Sequence, residues 1–265
     1  MINPPEPSDA ISRPIALTVV IPAYNESARL PRTLAALQEF LNRDGRRAEI
    51  IVVDDGSIDD TSATVRRFEA DDPRVRLIRL AQNHGKGEAV RTGVVNAGGA
   101  RVLFADADGA TPFKELYRLE AQLDRGAQVA IGSRALRAHD TKVDARILRR
   151  VSGRIFAALV RTIAVHDITD TQCGFKLFES AIAHDLFSRM RMDGYSFDVE
   201  VLMMAARRGY RVAEVPVNWA HQAGSKVRVV RDGLIMARDV FRIRANAVRG
   251  LYDSPHIAPA VQRTA

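Results

Sequence analysis

Arg101-Val-Leu-Phe-Ala-Asp106-Ala-Asp108-Gly109 is the stretch from which the fold is read. An apolar run, Val102–Ala105, ends in two carboxylates one residue apart. A run this short and this apolar fits a strand buried on both faces. The carboxylates then emerge at its C-terminal end, where open α/β sheets hold their ligands. Carboxylates spaced Asp-x-Asp can share one hard divalent cation and leave positions open for phosphate oxygens. A second reading stands beside it, in which Asp108 or Thr111 caps a helix opened by Pro112. The motif alone does not separate metal site from cap.

Working outward, four more apolar runs stand out: Leu17–Ala23, Glu49–Val53, Val75–Leu80 and Gln128–Ile131. Between the first four runs lie segments with helical periodicity. Residues 27–41 space Leu30, Leu34, Leu37 and Leu41 three or four apart; 60–70 and 85–97 follow with Val65 and Phe68, then Ala89, Val90 and Val94. Strand, helix, strand at this spacing predicts βαβ units and a mostly parallel sheet.

Each loop after a strand is polar. Pro22-Ala23-Tyr24-Asn25-Glu26-Ser27 follows the first and Asp54-Asp55-Gly56-Ser57 the second, with Asp59 beyond it. Asn83-His84-Gly85-Lys86-Gly87 follows the third. Taken singly these residues have ordinary roles, Ser27 and Asp59 as N-caps and the glycines in turns. Together, four consecutive strand ends predict one ligand crevice on one sheet edge. Gly85-Lys86-Gly87-Glu88-Ala89 lacks the third glycine of the dinucleotide fingerprint and is not a P-loop. Gly85 and Gly87 are expected to open a helix whose first amides face an anion.

At 265 residues, with 46% hydrophobic and 27% charged residues, the chain has the composition of a globular protein with a substantial core. A single Cys173 excludes an intrachain disulfide and points to a reducing compartment. No apolar run approaches the roughly 20 residues of a spanning helix. Residues 1–14, with four prolines, lack the apolar core of a signal peptide and read as a flexible arm. Charge is uneven, with a net of −2 over residues 1–133 and +9 over 134–265. The basic half predicts an anionic partner. Only five of the 39 basic residues are lysine, a bias that genome composition also produces.

Val20-Ile-Pro22-Ala-Tyr24-Asn-Glu26, Val53-Asp54-Asp55-Gly56-Ser57, Gly85-Lys86-Gly87, Asp106-Ala-Asp108, Gly132-Ser133-Arg134 and Gln172-Cys173-Gly174-Phe175 occur in this order. The set resembles a family 2 glycosyltransferase with the GT-A fold, of the type that glycosylates polyprenyl or dolichyl phosphate, over about residues 16–230. Asp106-Ala-Asp108-Gly109-Ala110-Thr111 resembles the dolichyl-phosphate glucosyltransferases within that group, whereas the mannosyltransferase pattern usually has Gln in place of Ala110.

The resemblance implies an α/β GT-A fold: a Rossmann-like, mostly parallel sheet flanked by helices, with C-terminal amphipathic helices. It implies that Pro22, Tyr24, Glu26, Asp55, Lys86, Asp106, Ala107, Asp108, Gln172 and Lys226 bind the nucleotide sugar. Asp55 would touch the base or ribose, and Asp106 and Asp108 would hold Mg²⁺ or Mn²⁺ against the diphosphate. Arg134, with Arg149 or Arg150, would bind the acceptor phosphate. Asp170, Gln172, Asp198 and Glu200 are candidates for sugar hydroxyls, although Asp198 and Glu200 also suit the first turn of a helix. Trp219 is expected in the core or beside sugar or lipid, with core packing favoured. The implied reaction is inverting transfer of a hexose, glucose from UDP-glucose, with Asp106, Asp108 and Arg134 in the catalytic centre. Mannosyl transfer from GDP-mannose and transfer to a polysaccharide hydroxyl share the donor motifs.

Arg146, Arg149, Arg150, Arg154 and Arg161 fall within an arc of roughly 140° on a helix. Residues 227–249 read as a basic amphipathic helix, suited either to a lipid interface or to a core face with one wet stripe. The organisation expected is an arm, 1–14; a glycosyltransferase domain, 15–226; the basic helix, 227–249; and a flexible tail, 250–265. The expected partners are a nucleotide sugar, a polyprenyl or dolichyl phosphate lipid and the cytoplasmic face of a membrane, where the protein would be peripheral. A nucleic-acid-binding protein, the non-enzymatic alternative raised by the basic half, would lack aromatic stacking platforms at 6% aromatic residues.

Overall fold

The computed structural model describes residues 14–144, 167–222 and 229–256. The first half alternates as predicted: β1 (Leu17–Ala23), α1 (Leu30–Asp44), β2 (Ala48–Asp54), α2 (Thr61–Asp71), β3 (Val75–Arg79), α3 (Lys86–Val95) and β4 (Arg101–Ala105). A 3₁₀ turn (Phe113–Glu115) leads into α4 (Leu116–Asp124), then β5 (Val129–Ser133) and the short β6 (Val143–Asp144). The second half adds β7 (Phe175–Glu179), α5 (Ser180–Arg189), α6 (Phe197–Arg207), β8 (Val212–Pro216), the short β9 (Trp219–Ala220) and α7 (Val229–Val248).

The strands form one seven-stranded sheet, ordered β3-β2-β1-β4-β7-β5-β8, with β6 and β9 paired apart from it. Among the described strands only β7 is antiparallel, inserted between β4 and β5 with Phe104 opposite Lys176. Neither β7 nor β8 carries a continuous apolar run: two of the five residues of Phe175–Glu179 are charged, and Glu214 interrupts Val212–Pro216.

Both faces are covered, which explains the continuous apolar runs. On β1, Leu17, Val19 and Ile21 face a core shared with α1 and α4, while Val20 faces α3, α5 and α6. Helix α3 lies close against β1 because Gly93 has no side chain; a Cβ there would overlap Val20 and press on Val53. The chain steps outward from β1 to β2 and β3, then returns to place β4 on the other side of β1. That reversal opens a crevice beyond the C-terminal ends of β1 and β4.

Helix α7 buries Val240, Ile243 and Ala247 against α6, so it is a core helix on one side. On its other side Leu234, Phe241 and Val248, seven residues apart, are exposed beside Arg231, Arg238, Arg242 and Arg249. The tail expected to be flexible from residue 250 is packed as far as 256. Tyr252 is buried with its hydroxyl 2.7 Å from Glu200, and His256 N donates to Ser188 O. No described helix is long and apolar enough to cross a membrane.

Candidate active site

At the mouth of the crevice Asp106 leaves β4 with its amide bonded to Gly174 O, 3.0 Å away. A Cβ at Gly174 would overlap the Asp106 carboxylate, so glycine is what leaves room for it. Lys86 Nζ, from the first turn of α3, approaches Asp106 Oδ1 to 2.6 Å. Burial alone would lower the Lys86 pKa, but the charges of Asp106 and Asp198 overcome it and hold the ammonium protonated. The Asp106-Ala107-Asp108 loop is fastened from α1, where Thr33 Oγ1 donates to Ala107 O at 2.8 Å.

Asp108 caps no helix. Its Oδ1 accepts from Ala110 N, and the 3₁₀ turn has Pro112 at its cap position without a side-chain bond. Its carboxyl is raised by burial and by the charge of Asp106, while Arg29 lies 3.9 Å from Oδ2. Two carboxylates close enough to disturb each other, with Arg29 and Lys86 about them, fit the donor set of a hard divalent cation completed by phosphate oxygens. Among the described residues no group of three or more His, Cys, Asp or Glu side chains offers a closed metal site, so protein ligands alone would leave coordination positions open. Arg29 was not singled out from sequence; it pairs with Glu26 through Nε at 2.7 Å and reaches Asp108 only because α1 folds over the loop.

Several expected contacts are spent within the protein. Asp55, expected on base or ribose, is instead buried and accepts from His84 N, Gly85 N and Asn83 Nδ2 at 2.8–2.9 Å. It holds the loop ahead of α3, where Gly85 takes φ 110°. The first amides of α3 do not face open space either, because Gly87 N and Glu88 N donate to Asp193 O. Glu26 is paired with Arg29, beside Pro22 and Tyr24 at the end of β1. Ser27 caps no helix; its hydroxyl donates to Asp59, which also accepts from Thr61 N at the start of α2.

On the far side of Asp106, Arg134 follows β5 and forms a forked pair with Asp170, Nε to Oδ2 at 2.7 Å and Nη2 to Oδ1 at 2.8 Å. Asp170 therefore orients an arginine instead of reading a sugar. Burial would raise its carboxyl, but the Arg134 charge outweighs that and holds it below the ordinary range. Glu214 of β8 accepts from Thr169 N and Asp170 N, fixing the turn behind the pair. Gln172 Nε2 is buried with no hydrogen-bond partner among the described residues, an unspent donor two residues from Gly174.

Asp198 and Glu200 open α6, and neither is free for a sugar. Asp198 pairs with buried Lys176 at 2.5 Å, and Lys176 also donates to Cys173 O. Glu200 accepts from Arg191 N, Met192 N and the Tyr252 hydroxyl. Cys173 is inert, its thiol pushed up to about 12 by burial. Trp219 is half-buried and lines a narrow cleft with Asp106 and Gly174, so core packing is not its place. Arg149, Arg150 and Lys226, and the rest of the arginine helix, lie outside the described residues.

Residues 18–187, which span nearly all of β1 to α5 and carry Asp106, Asp108, Arg134 and Asp170, match the sequence pattern described as glycosyl transferase family 2. The chain belongs to this family. Within glycosyl transferase family 2 it is similar to proteins named dolichyl-phosphate beta-glucosyltransferase. That of Dictyostelium discoideum is 38% identical over 250 residues, covering 90% of this chain and 76% of the relative. That of Homo sapiens is 36% identical, covering 89% and 77%. The fold is GT-A, and it is shared with glucosyl-3-phosphoglycerate synthase from Mycobacterium tuberculosis, solved with Mn²⁺, UDP-glucose and phosphoglyceric acid. That match has a TM-score of 0.65 at 20% identity, over 91% of this chain and 81% of the other. As a family 2 member the protein is a glycosyltransferase.

Proposed function

We propose that the protein transfers glucose with inversion from UDP-glucose to dolichyl or polyprenyl phosphate. The observation that carries this reading is the pairing of Asp106 and Asp108 at the strand end with the Arg134–Asp170 fork beyond them. Relatives named for the same activity, matched over nine-tenths of the chain, support the choice of sugar and lipid.

Asp106 and Asp108 hold Mg²⁺ or Mn²⁺ in this reading, and the ion supplies charge neutralisation for the departing diphosphate. Pro22, Tyr24 and Glu26 bound the nucleoside, with Asp55 shaping its wall through the loop at 83–85. Lys86, Ala107 and Gln172 serve the diphosphate and sugar side, and the Gly224-Ser225-Lys226 motif assigns Lys226 to the same role. An acceptor phosphate oxygen attacks the anomeric carbon, the bond from that carbon to the β-phosphate oxygen breaks, and the electron pair leaves with UDP. A phosphate monoester, with a second pKa of about 6, is already an anion near neutrality and needs no general base. What it needs is a cationic seat beside another diphosphate, and Arg134 with Arg149 or Arg150 provides it.

The lipid acceptor stays in a bilayer, so the crevice must reach one. The exposed Leu234, Phe241 and Val248 flanked by arginines suit peripheral contact with an anionic leaflet, here the cytoplasmic face. Labelled UDP-glucose, Mn²⁺ and dolichyl phosphate incubated with the full chain should yield a lipid-extractable, acid-labile product. Failure with every common nucleotide sugar and lipid phosphate would overturn the proposal.

A further inference from the structure

Trp219 is the single tryptophan of the chain. It begins β9, and its amide donates to Lys142 O at 3.0 Å while Ala220 N donates to Ala110 O at 2.9 Å. Short β9 therefore stitches the loop after β4 to the strand β6. The indole touches two parts of the site at once. The Arg134 guanidinium lies 5.6 Å from its ring centroid, within cation–π range. The same ring, with Asp106, Ala110, Thr111 and Gly174, lines a narrow crevice at the end of β4. Trp219 thus lines one cleft with Asp106 and packs against Arg134, so the indole borders both binding groups.

A hexose moving from a diphosphate at Asp106 to a phosphate at Arg134 must pass between these groups. We propose that Trp219 is the wall of the hexose subsite, an inference that rests on the transfer reaction proposed above. A flat apolar ring suits the C–H face of a pyranose, while Asp106 and the backbone meet its polar rim. The guanidinium is held by Asp170 along its edge and by the indole at its face, which fixes its plane before any acceptor arrives.

Because the chain has one tryptophan, its emission reports on this subsite directly. The full chain with Mn²⁺ is titrated with UDP-glucose and, separately, with UDP, while calorimetry on the same samples reports binding. UDP-glucose should change the emission severalfold more than UDP at equal saturation. Trp219→Ala should raise the KM for UDP-glucose at least ~10-fold and leave UDP affinity within about twofold, with Trp219→Phe restoring most of the loss. If both nucleotides bind and alter emission equally, or Trp219→Ala weakens both equally, the wall is refuted while the transfer reaction stands. If calorimetry detects neither nucleotide, the transfer reaction itself fails and the wall with it.

Discussion

Lys86 Nζ stands 2.6 Å from Asp106 Oδ1, so the carboxylate proposed to meet a metal ion already has a cation beside it. The charge of Asp198, itself paired with Lys176, also favours the ammonium. Lys86 thus competes for Asp106 when no donor is bound and is placed to meet the diphosphate when one is. Replacing it should have opposite effects on two measurements. Lys86→Met should tighten binding of Mn²⁺ alone by at least ~10-fold, read by calorimetry, because a like charge near the ion is gone. Turnover should nevertheless fall by about 10²–10³, the usual loss for one preorganised charge at a leaving group. Weaker metal binding in this variant would show that Lys86 does not compete.

Gly174 is the second determinant of the same carboxylate. A methyl group there overlaps Asp106, whose side chain must swing away while the hydrogen bond from Asp106 N to Gly174 O holds the backbone. Gly174→Ala should lower kcat by about 10² or more through misplacement of the carboxylate. Metal-free UDP affinity should be unchanged; an active variant would mean that Asp106 has another productive rotamer.

Arg134 is bound along its edge by Asp170, a geometry that lysine does not reproduce. Arg134→Lys should raise the KM for the lipid phosphate at least ~10-fold while the KM for UDP-glucose stays within about twofold, measured by varying each substrate in turn. Equal effects on both would remove Arg134 from the acceptor seat.

Leu234 and Phe241 lie one heptad apart on the exposed face of α7, away from Val240 and Ile243 in the core. Leu234→Asp with Phe241→Asp should reduce cosedimentation with vesicles containing anionic lipid by ~10-fold or more, since both apolar burial and arginine attraction are opposed. Thermal stability should change little. Unaltered vesicle binding would place the membrane contact elsewhere.

Asp72 links α1, α2 and β3, accepting from Arg74 and from Gln38 Nε2. Its carboxyl is lowered from 3.8 to about 2, first by the Arg74 side chain. A depressed carboxylate stabilises the fold fully above its unfolded pKa, and the contribution is lost as pH falls from about 4 towards about 2. The shift corresponds to about 2 kcal/mol, so Asp72→Asn should lower the melting midpoint at pH 7 by about 5 °C. The difference from the parent should close as both are measured nearer pH 2. A gap that persists there would trace the loss to packing.

The first four strands, their helices and the carboxylates at the end of Val102–Ala105 are legible in the residue order, because burial on both faces leaves local apolar runs and polar loops must close them. The acidic pair is legible as a metal site only with the ordered motifs beside it. What the residue order does not carry is which charged groups are already taken. Asp55, Asp170, Asp198 and Glu200 look equally available in one dimension, yet each meets its partners across 8 to 52 residues of chain. Likewise β7, with two charged residues in five, escapes pattern reading; Lys176 is buried there only because Asp198 and Cys173 O come to meet it. The pattern of burial is written locally by hydrophobicity, whereas the partner of a charge is chosen by which elements the fold brings within about 3 Å.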